Sequence, residues 1–341
     1  MKKLLISLIT VACLATCPTA YSADTVTANK IRFSGKIVKI SPQSIAVKRN
    51  GSVENIPVNE ITSVSFDGEQ RSLSLVRSAI RGQRYSAAAK TLNKIDVAEV
   101  RRDLVKQEIK FFKAFCAAKA ALGGEGKIVD AGRIMGKFAK DYPNNYRYYE
   151  ANEIIGDLLT SLGRDNAAAK FYSKLTEAPW PDYKTKANIA AGRALLAAKN
   201  PNEAIRYFEK VLAGSDKNTS NQKQRLEAEV GKARCLAEQG ELKKAKSLAE
   251  KIIREVGPEE TDLNARAYNT LGTSLKKLGK KKEALIAFLH VDILYSTIPD
   301  AHAEALYNLI QLWNDLNNTE RANSAQQTLN KQYKNSRWAK K

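Results

Sequence analysis

The stretch YNTLGTSLKKLGKKKEALIAFLHV, residues 268–291, decides how this chain folds. It places Gly272 beside Leu271 and Leu275, breaks at Gly279, and resumes with Ala284, Phe288 and Val291. Apolar residues three and four apart mark one face of a helix, and a glycine between two such runs marks a helix end. The stretch therefore reads as two amphipathic helices joined by a tight turn. The same alanine returns at Ala131, Ala168, Ala204, Ala245 and Ala322, and an apolar residue follows each: Phe138, Leu175, Val211, Ile252 and Leu329. Twelve positions before three of these alanines stand the small residues Gly156, Gly192 and Ala233, and successive alanines lie 36 to 41 residues apart. A period in that range signals stacked supersecondary units, none of which buries its apolar face alone.

These units resemble the tetratricopeptide repeat, in which a small residue on the first helix, alanine on the second, and an aromatic and an apolar residue beyond it recur at these offsets. The copies at Gly272, Ala284, Phe288 and Val291, at Gly192, Ala204, Phe208 and Val211, and at Gly156, Ala168, Tyr172 and Leu175 keep the pattern. Ala233 and Ala245 keep its two small positions. The last copy departs, with Ile310 and Gln326, as suits a polar cap. The resemblance implies a mainly α protein, an α-solenoid of about seven helical hairpins. They fall at 72–96, 99–141, 146–178, 183–214, 221–256, 261–294 and 301–332, within a repeat domain of 71–335. Small side chains let paired helices touch, while the larger residues fill the groove to the next unit.

Residues 23–70 read differently. Apolar residues alternate at Val38 and Ile40, Ile45 and Val47, Val53 and Ile56, and Val64 and Phe66, and Asn50-Gly51 is a hairpin turn signal. Four or five short strands are expected, in a module that looks like a small SH3-like or Sm-like barrel. So small a sheet buries little by itself and should lean on the helices or on a partner.

Met1-Lys2-Lys3, an apolar run from Leu4 to Cys17, and Ala20-Tyr21-Ser22 have the three parts of a cleaved secretory signal, so 1–22 is read as a signal peptide and the mature protein as periplasmic or secreted. The run is too short to span a bilayer. Leu14-Ala15-Thr16-Cys17 loosely resembles a lipoprotein box, but the threonine favours the soluble cut over lipid anchoring at Cys17. A net charge of +20 attracts acidic proteins or polyanions.

Chemistry leaves no readable trace. His290 and His302 lie on different helices, and HExxH and CxxC are absent. Gly123-Gly124-Glu125-Gly126-Lys127 lacks the hydroxyl residue and the preceding strand of a phosphate loop. No catalytic residue, cofactor or metal site is expected, and the reading is of a non-enzymatic scaffold.

The resemblance implies that the first helix of each unit lines a concave face. There it sets Lys186, Arg193, Arg234, Arg266, Asn269 and Lys276, a basic groove for an acidic segment or C-terminal carboxylate of another envelope protein. One unit earlier, Glu150, Glu153 and Asp157 reverse the sign. A second candidate is aromatic: Tyr146, Tyr149, Trp180 and Tyr183 would either stack on the sugar rings of a cell-wall glycan or wedge between units. Nucleic acid suits the charge and the barrel, but export and the lack of interleaved basic and aromatic residues argue against it.

Overall fold

A computed structural model describes residues 23–214, 222–334 and 336–340. The signal-peptide reading of 1–22 lies outside them. The chain opens with strands β1 (Asp24–Ala28), β2 (Ile31–Ile40), β3 (Ser44–Arg49), β4 (Ser52–Pro57) and β5 (Ile61–Ser65). They form one antiparallel sheet in the order β4-β3-β2-β1-β5. Asn50 and Gly51 make the β3–β4 turn at φ 48° and 84°, the left-handed pair that a type I′ turn requires. β2 serves two partners, pairing β1 through Ile31–Gly35 and β3 through Lys36–Ile40. Gly35 permits the bend between these halves, because a Cβ there would lie 2.4 Å from the Lys48 carbonyl oxygen. The sheet is open, with β4 and β5 as its two edges, so the expected barrel is a bent sheet without closure among the described residues.

Among the described residues fourteen α-helices follow in seven hairpins: α1 (Arg71–Arg81) with α2 (Tyr85–Asn93), α3 (Asp103–Leu122) with α4 (Ile128–Asp141), and α5 (Tyr148–Ser161) with α6 (Asp165–Lys174). Next come α7 (Pro181–Ala197) with α8 (Pro201–Gly214), α9 (Gln222–Glu238) with α10 (Leu242–Glu255), α11 (Thr261–Lys277) with α12 (Lys281–Leu294), and α13 (Pro299–Asp315) with α14 (Thr319–Gln332). Gly163, Gly240 and Gly279 each sit at positive φ in the turn of a hairpin, where glycine escapes the Cβ clash of the left-handed region. Gln83, Lys199 and Asn317 hold the same conformation in three other turns. The turn is thus set by the hairpin geometry, and glycine only eases it.

The repeat signature works as contact. Ala168, Ala204, Ala233, Ala245 and Ala284 are fully buried. A Cβ on Gly156 would lie 2.5 Å from the Tyr172 ring, and one on Gly272 would lie 2.8 Å from that of Phe288. Phe208 is held on two sides, since a Cβ would reach it at 2.8 Å from Gly192 in its own hairpin and at 2.3 Å from Gly231 in the next. Gly231 escaped the sequence reading, which placed the small residue of that unit at Ala233.

The β module has no separate core. Val26, Ile37, Ile45, Val64 and Phe66 are continuous with Leu73, Ile109, Phe112 and on to Leu158. Asp24 pins the joint, accepting from the backbone N–H groups of Ile37 at 2.7 Å and Asp67 at 2.8 Å and pairing with Arg102. Burial pushes this carboxyl up, but Arg102 and the two N–H groups outweigh it and hold it below the usual range. Cys116 and Cys235 are buried and unbridged. Among the described residues no helix is long and apolar enough to cross a membrane.

Gly231→Ala should cost about 1–3 kcal/mol, because the Phe208 ring has Gly192 behind it and cannot retreat. Gly136→Ala, on α4 with open space at its Cβ position, should instead stabilise by about 0.5–1 kcal/mol. Denaturant unfolding of the two variants checks the opposite signs.

Candidate functional site

The first helices α5, α7, α9, α11 and α13 line a concave face that encloses a cavity of about 1240 Å³. A neighbouring cavity of about 480 Å³ continues it toward α9 and α13. Arg193, Glu227, Arg266, Asp300 and Arg337 line both, so these five side chains stand where the cavities meet.

Of the cations expected to make this face basic, Lys186, Arg193 and Arg266 line the larger cavity and Arg234 the smaller. Each meets a carboxylate from another unit, the adjacent one for Lys186, Arg193 and Arg266 and the next but one for Arg234. Lys186 pairs with Glu153 at 2.7 Å, Arg193 with Glu227 at 3.3 Å, Arg234 with Glu304 at 2.6 Å, and Arg266 with Asp300 at 4.0 Å. The larger cavity carries six Lys or Arg residues and six Asp or Glu residues, so the expectation of a basic groove is corrected to one of balanced charge. The physical reason is that stacked first helices bring cations of one unit against carboxylates of the next, a juxtaposition that the register within a single unit does not display.

Beyond these pairs, to which Arg337 with Asp300 at 3.6 Å is added, charge is unevenly distributed along the cavity. Glu153, Asp157, Asp165 and Asp182 come from α5 to the start of α7, whereas Arg193, Arg266 and Arg337 converge from α7, α11 and the C-terminal tail. Burial raises the Asp157 carboxyl, with Glu153 adding to it against the hydrogen bond from Tyr172 at 2.8 Å. Burial also raises Asp165, and Arg337 opposes that shift. Arg193 is pulled below the usual guanidinium range by burial and by the facing charge of Arg266. Arg266 itself loses to burial but gains more from Asp262, which accepts its Nε–H at 2.9 Å.

Two of the predicted groove residues do other work. Asn269 is buried and donates to the Ala301 carbonyl at 2.8 Å, joining α11 to α13. Lys276 donates to Asn308 at 3.1 Å and to Gln311, again between these helices. Arg234, with Glu238 at 3.2 Å, Glu304 and Thr273 around it, is a brace across three units.

The aromatic candidates divide. Tyr149, Trp180 and Tyr183 form an edge-to-face cluster with centroids 5.0 to 6.2 Å apart, and Tyr183 reaches the cavity wall. Tyr149 is buried, and its hydroxyl accepts from Gln43 of the β module at 3.3 Å. Tyr146 belongs elsewhere: it is buried beneath the Arg147 guanidinium and donates to Glu108 at 2.7 Å. A four-ring stacking platform is therefore corrected to an inter-unit wedge with Trp180 and Tyr183 half-exposed, because ring edges occupy the faces a sugar would need. The histidines lie away from the cavities, His290 stacked on Tyr268 at 4.6 Å, and His302 buried between Asp292 and Tyr333 at 2.7 Å each.

The tail was missed by the sequence reading, which ended the last hairpin at 332. Arg337 and Lys340 line the larger cavity, and Trp338 is buried against Ala303, Leu306 and Leu329. A basic and aromatic pair beyond the last helix was the available signal.

Residues 195–260 and 265–292 match two family descriptions, both of the tetratricopeptide repeat. Those residues carry tetratricopeptide repeats, and the whole array has the fold of a tetratricopeptide repeat solenoid. No curated protein matches the chain. Among solved structures, it is similar to a tetratricopeptide repeat protein from Parabacteroides merdae at 16% identity, over 79% of this chain and 96% of that one, with a TM-score of 0.62. The Rap protein complexed with Competence and Sporulation Factor aligns at 16% identity over 78% and 76%, with a TM-score of 0.56. NprR, a quorum sensor of B. thuringiensis, in complex with its cognate peptide NprX aligns at 15% identity over 79% and 79%, with a TM-score of 0.51. At these identities the likeness is one of fold. A tetratricopeptide repeat solenoid of this kind is a protein-interaction scaffold.

Asp157→Asn should stabilise the protein at neutral pH. A carboxyl raised in the folded state binds its proton more tightly there, so its ionised form disfavours folding once the pH exceeds the ordinary value of 3.8. The gain should shrink as the pH falls back through the raised value, and unfolding free energies of variant and parent measured across that range check the sign.

Proposed function

We propose that this is an exported, non-enzymatic scaffold whose concave groove holds an extended segment of another envelope protein. The observation that carries this is the uneven charge along one cavity: Glu153, Asp157, Asp165 and Asp182 crowd the α5 end, while Arg193, Arg266 and Arg337 share only Glu227 and Asp300 where the cavities meet. Arginine forks take carboxylates bidentately. An acidic stretch or chain end of the partner sits at the three arginines, and cationic residues of the same segment run toward Glu153 and Asp157. The like charge of Arg193 and Arg266 favours such an occupant, since an added carboxylate offsets it. Export, read from the leader, places the partner in the periplasm or outside the cell. A cell-wall glycan on Trp180 and Tyr183 is the weaker reading, with two half-exposed rings in place of four.

Arg193 is the test position, because its side chain is 38% exposed and its pair with Glu227 is of the partly exposed kind that adds little stability. Arg193→Gln should lower capture of envelope proteins by the mature chain about tenfold, the loss of one charge-assisted contact, with little change in the thermal midpoint. Unchanged capture would remove the groove from the account. Arg234→Glu is unsuitable for this purpose, since it would set a third carboxylate against Glu238 and Glu304.

A further inference from the structure

The sheet of the β module has two unlike faces. Val26, Ile37, Ile45, Val47, Ile56 and Val64 turn inward and are buried. The alternate residues form rows across the strands on the outer face. Lys36 stands directly opposite Lys48, and Lys48 opposite Val53. Lys39 stands opposite Ala46, which faces Asn55. Toward the other edge, Ser34, the buried Thr25 and Ser65 make one row, and Arg32, Thr27 and Ser63 another. This face holds four cations and no carboxylate. None of Arg32, Lys36, Lys39 and Lys48 makes an ion pair among the described residues, whereas the ion pairs that reach the module, Asp24 to Arg102 and Glu69 to Arg77, fasten its other side to the helices.

Like charges directly opposite on antiparallel strands oppose folding. Lys36 and Lys48 are such a pair, both exposed and neither with a carboxylate partner among the described residues. In the solenoid, by contrast, cations of one unit meet carboxylates of an adjacent one. We infer that the outer face of the sheet docks on an anionic phospholipid bilayer. Charge complementarity selects an anionic occupant, and three features select a lipid surface over a nucleic acid. Val53, in the row with Lys36 and Lys48, is 50% exposed, and Val38, in the adjoining bulge, is 47% exposed, so aliphatic side chains stand among the cations. Cations flanking exposed aliphatic groups are what an anionic interface takes up. No aromatic side chain lies in these rows, so bases find no stacking platform. Only residues 18–23 separate the apolar leader run from β1, so during export, before the leader is cut, this module is the part of the chain nearest the bilayer in sequence. The inference is independent of the groove, which lies on other elements.

The experiment sediments the chain from residue 23 onward with vesicles of phosphatidylcholine alone and with vesicles that also carry phosphatidylglycerol. Binding is expected to the anionic vesicles only and to fall with salt. Lys36→Glu is the decisive variant, because it converts a repulsive cross-strand pair into an attractive one. It should raise the thermal midpoint by about 1 °C and lower vesicle binding about tenfold or more, reversing one interfacial cation. A merely structural lysine would not move these two readings in opposite directions. Lys282→Glu, exposed on α12, should leave vesicle binding unchanged. Equal binding to both vesicle types, or full binding by Lys36→Glu, overturns the inference. So does capture of single-stranded DNA at the same salt that anionic vesicles fail to displace, which would assign the face to a phosphate polymer.

Discussion

The close approach of helices through small side chains is the constraint on which the rest of the structure depends. Phe208 shows it most plainly, with its ring filling the space that a side chain at Gly192 or Gly231 would need. One aromatic residue thereby locks its own hairpin and fixes where the next one starts. Repeating the arrangement with Tyr172 on Gly156 and Phe288 on Gly272 propagates a constant offset between units, and a constant offset curves the array and leaves a concave side. The groove is a consequence of packing at the joints.

That geometry also decides the electrostatics. Helices held at this spacing bring long side chains of one unit within reach of the next, so Lys186, Arg193 and Arg266 find Glu153, Glu227 and Asp300. Ion pairs with partly exposed members add little stability each, and their main effect here is to cancel the net charge of the groove while leaving carboxylates at one end and arginines further along. Specificity in such a surface comes from arrangement more than from net charge. The protein's large positive charge must then be expressed elsewhere, and the unpaired outer face of the β module is one such place.

The β module and the repeats share a core because neither end could close alone. A five-stranded sheet has one face to bury and too few residues to cover it, and the first hairpins of a solenoid have no preceding unit. Val26, Ile45 and Val64 meet Leu73 and Ile109 across this shared boundary, with Asp24 and Arg102 as its polar fastening. The C-terminal end is closed in a different way. Trp338 folds back onto α13 and α14, which brings Arg337 and Lys340 to the groove.

The hairpins, their turns and the strand module were legible in the chain because they depend on local periodicity. Gly272, Ala284 and Phe288 recur at fixed offsets, and Asn50-Gly51 needs only its own backbone preference to make a turn. The sequence alone therefore determined the architecture and which helices face inward. Tertiary structure decided what those helices present: that Arg234 and Asn269 brace neighbours, that Tyr146 and Tyr149 occupy different pockets, that the groove is balanced in charge, and that the tail lines it. Each of these depends on side chains distant in sequence being brought together by the stacking of units, a relation that periodicity within one unit does not encode.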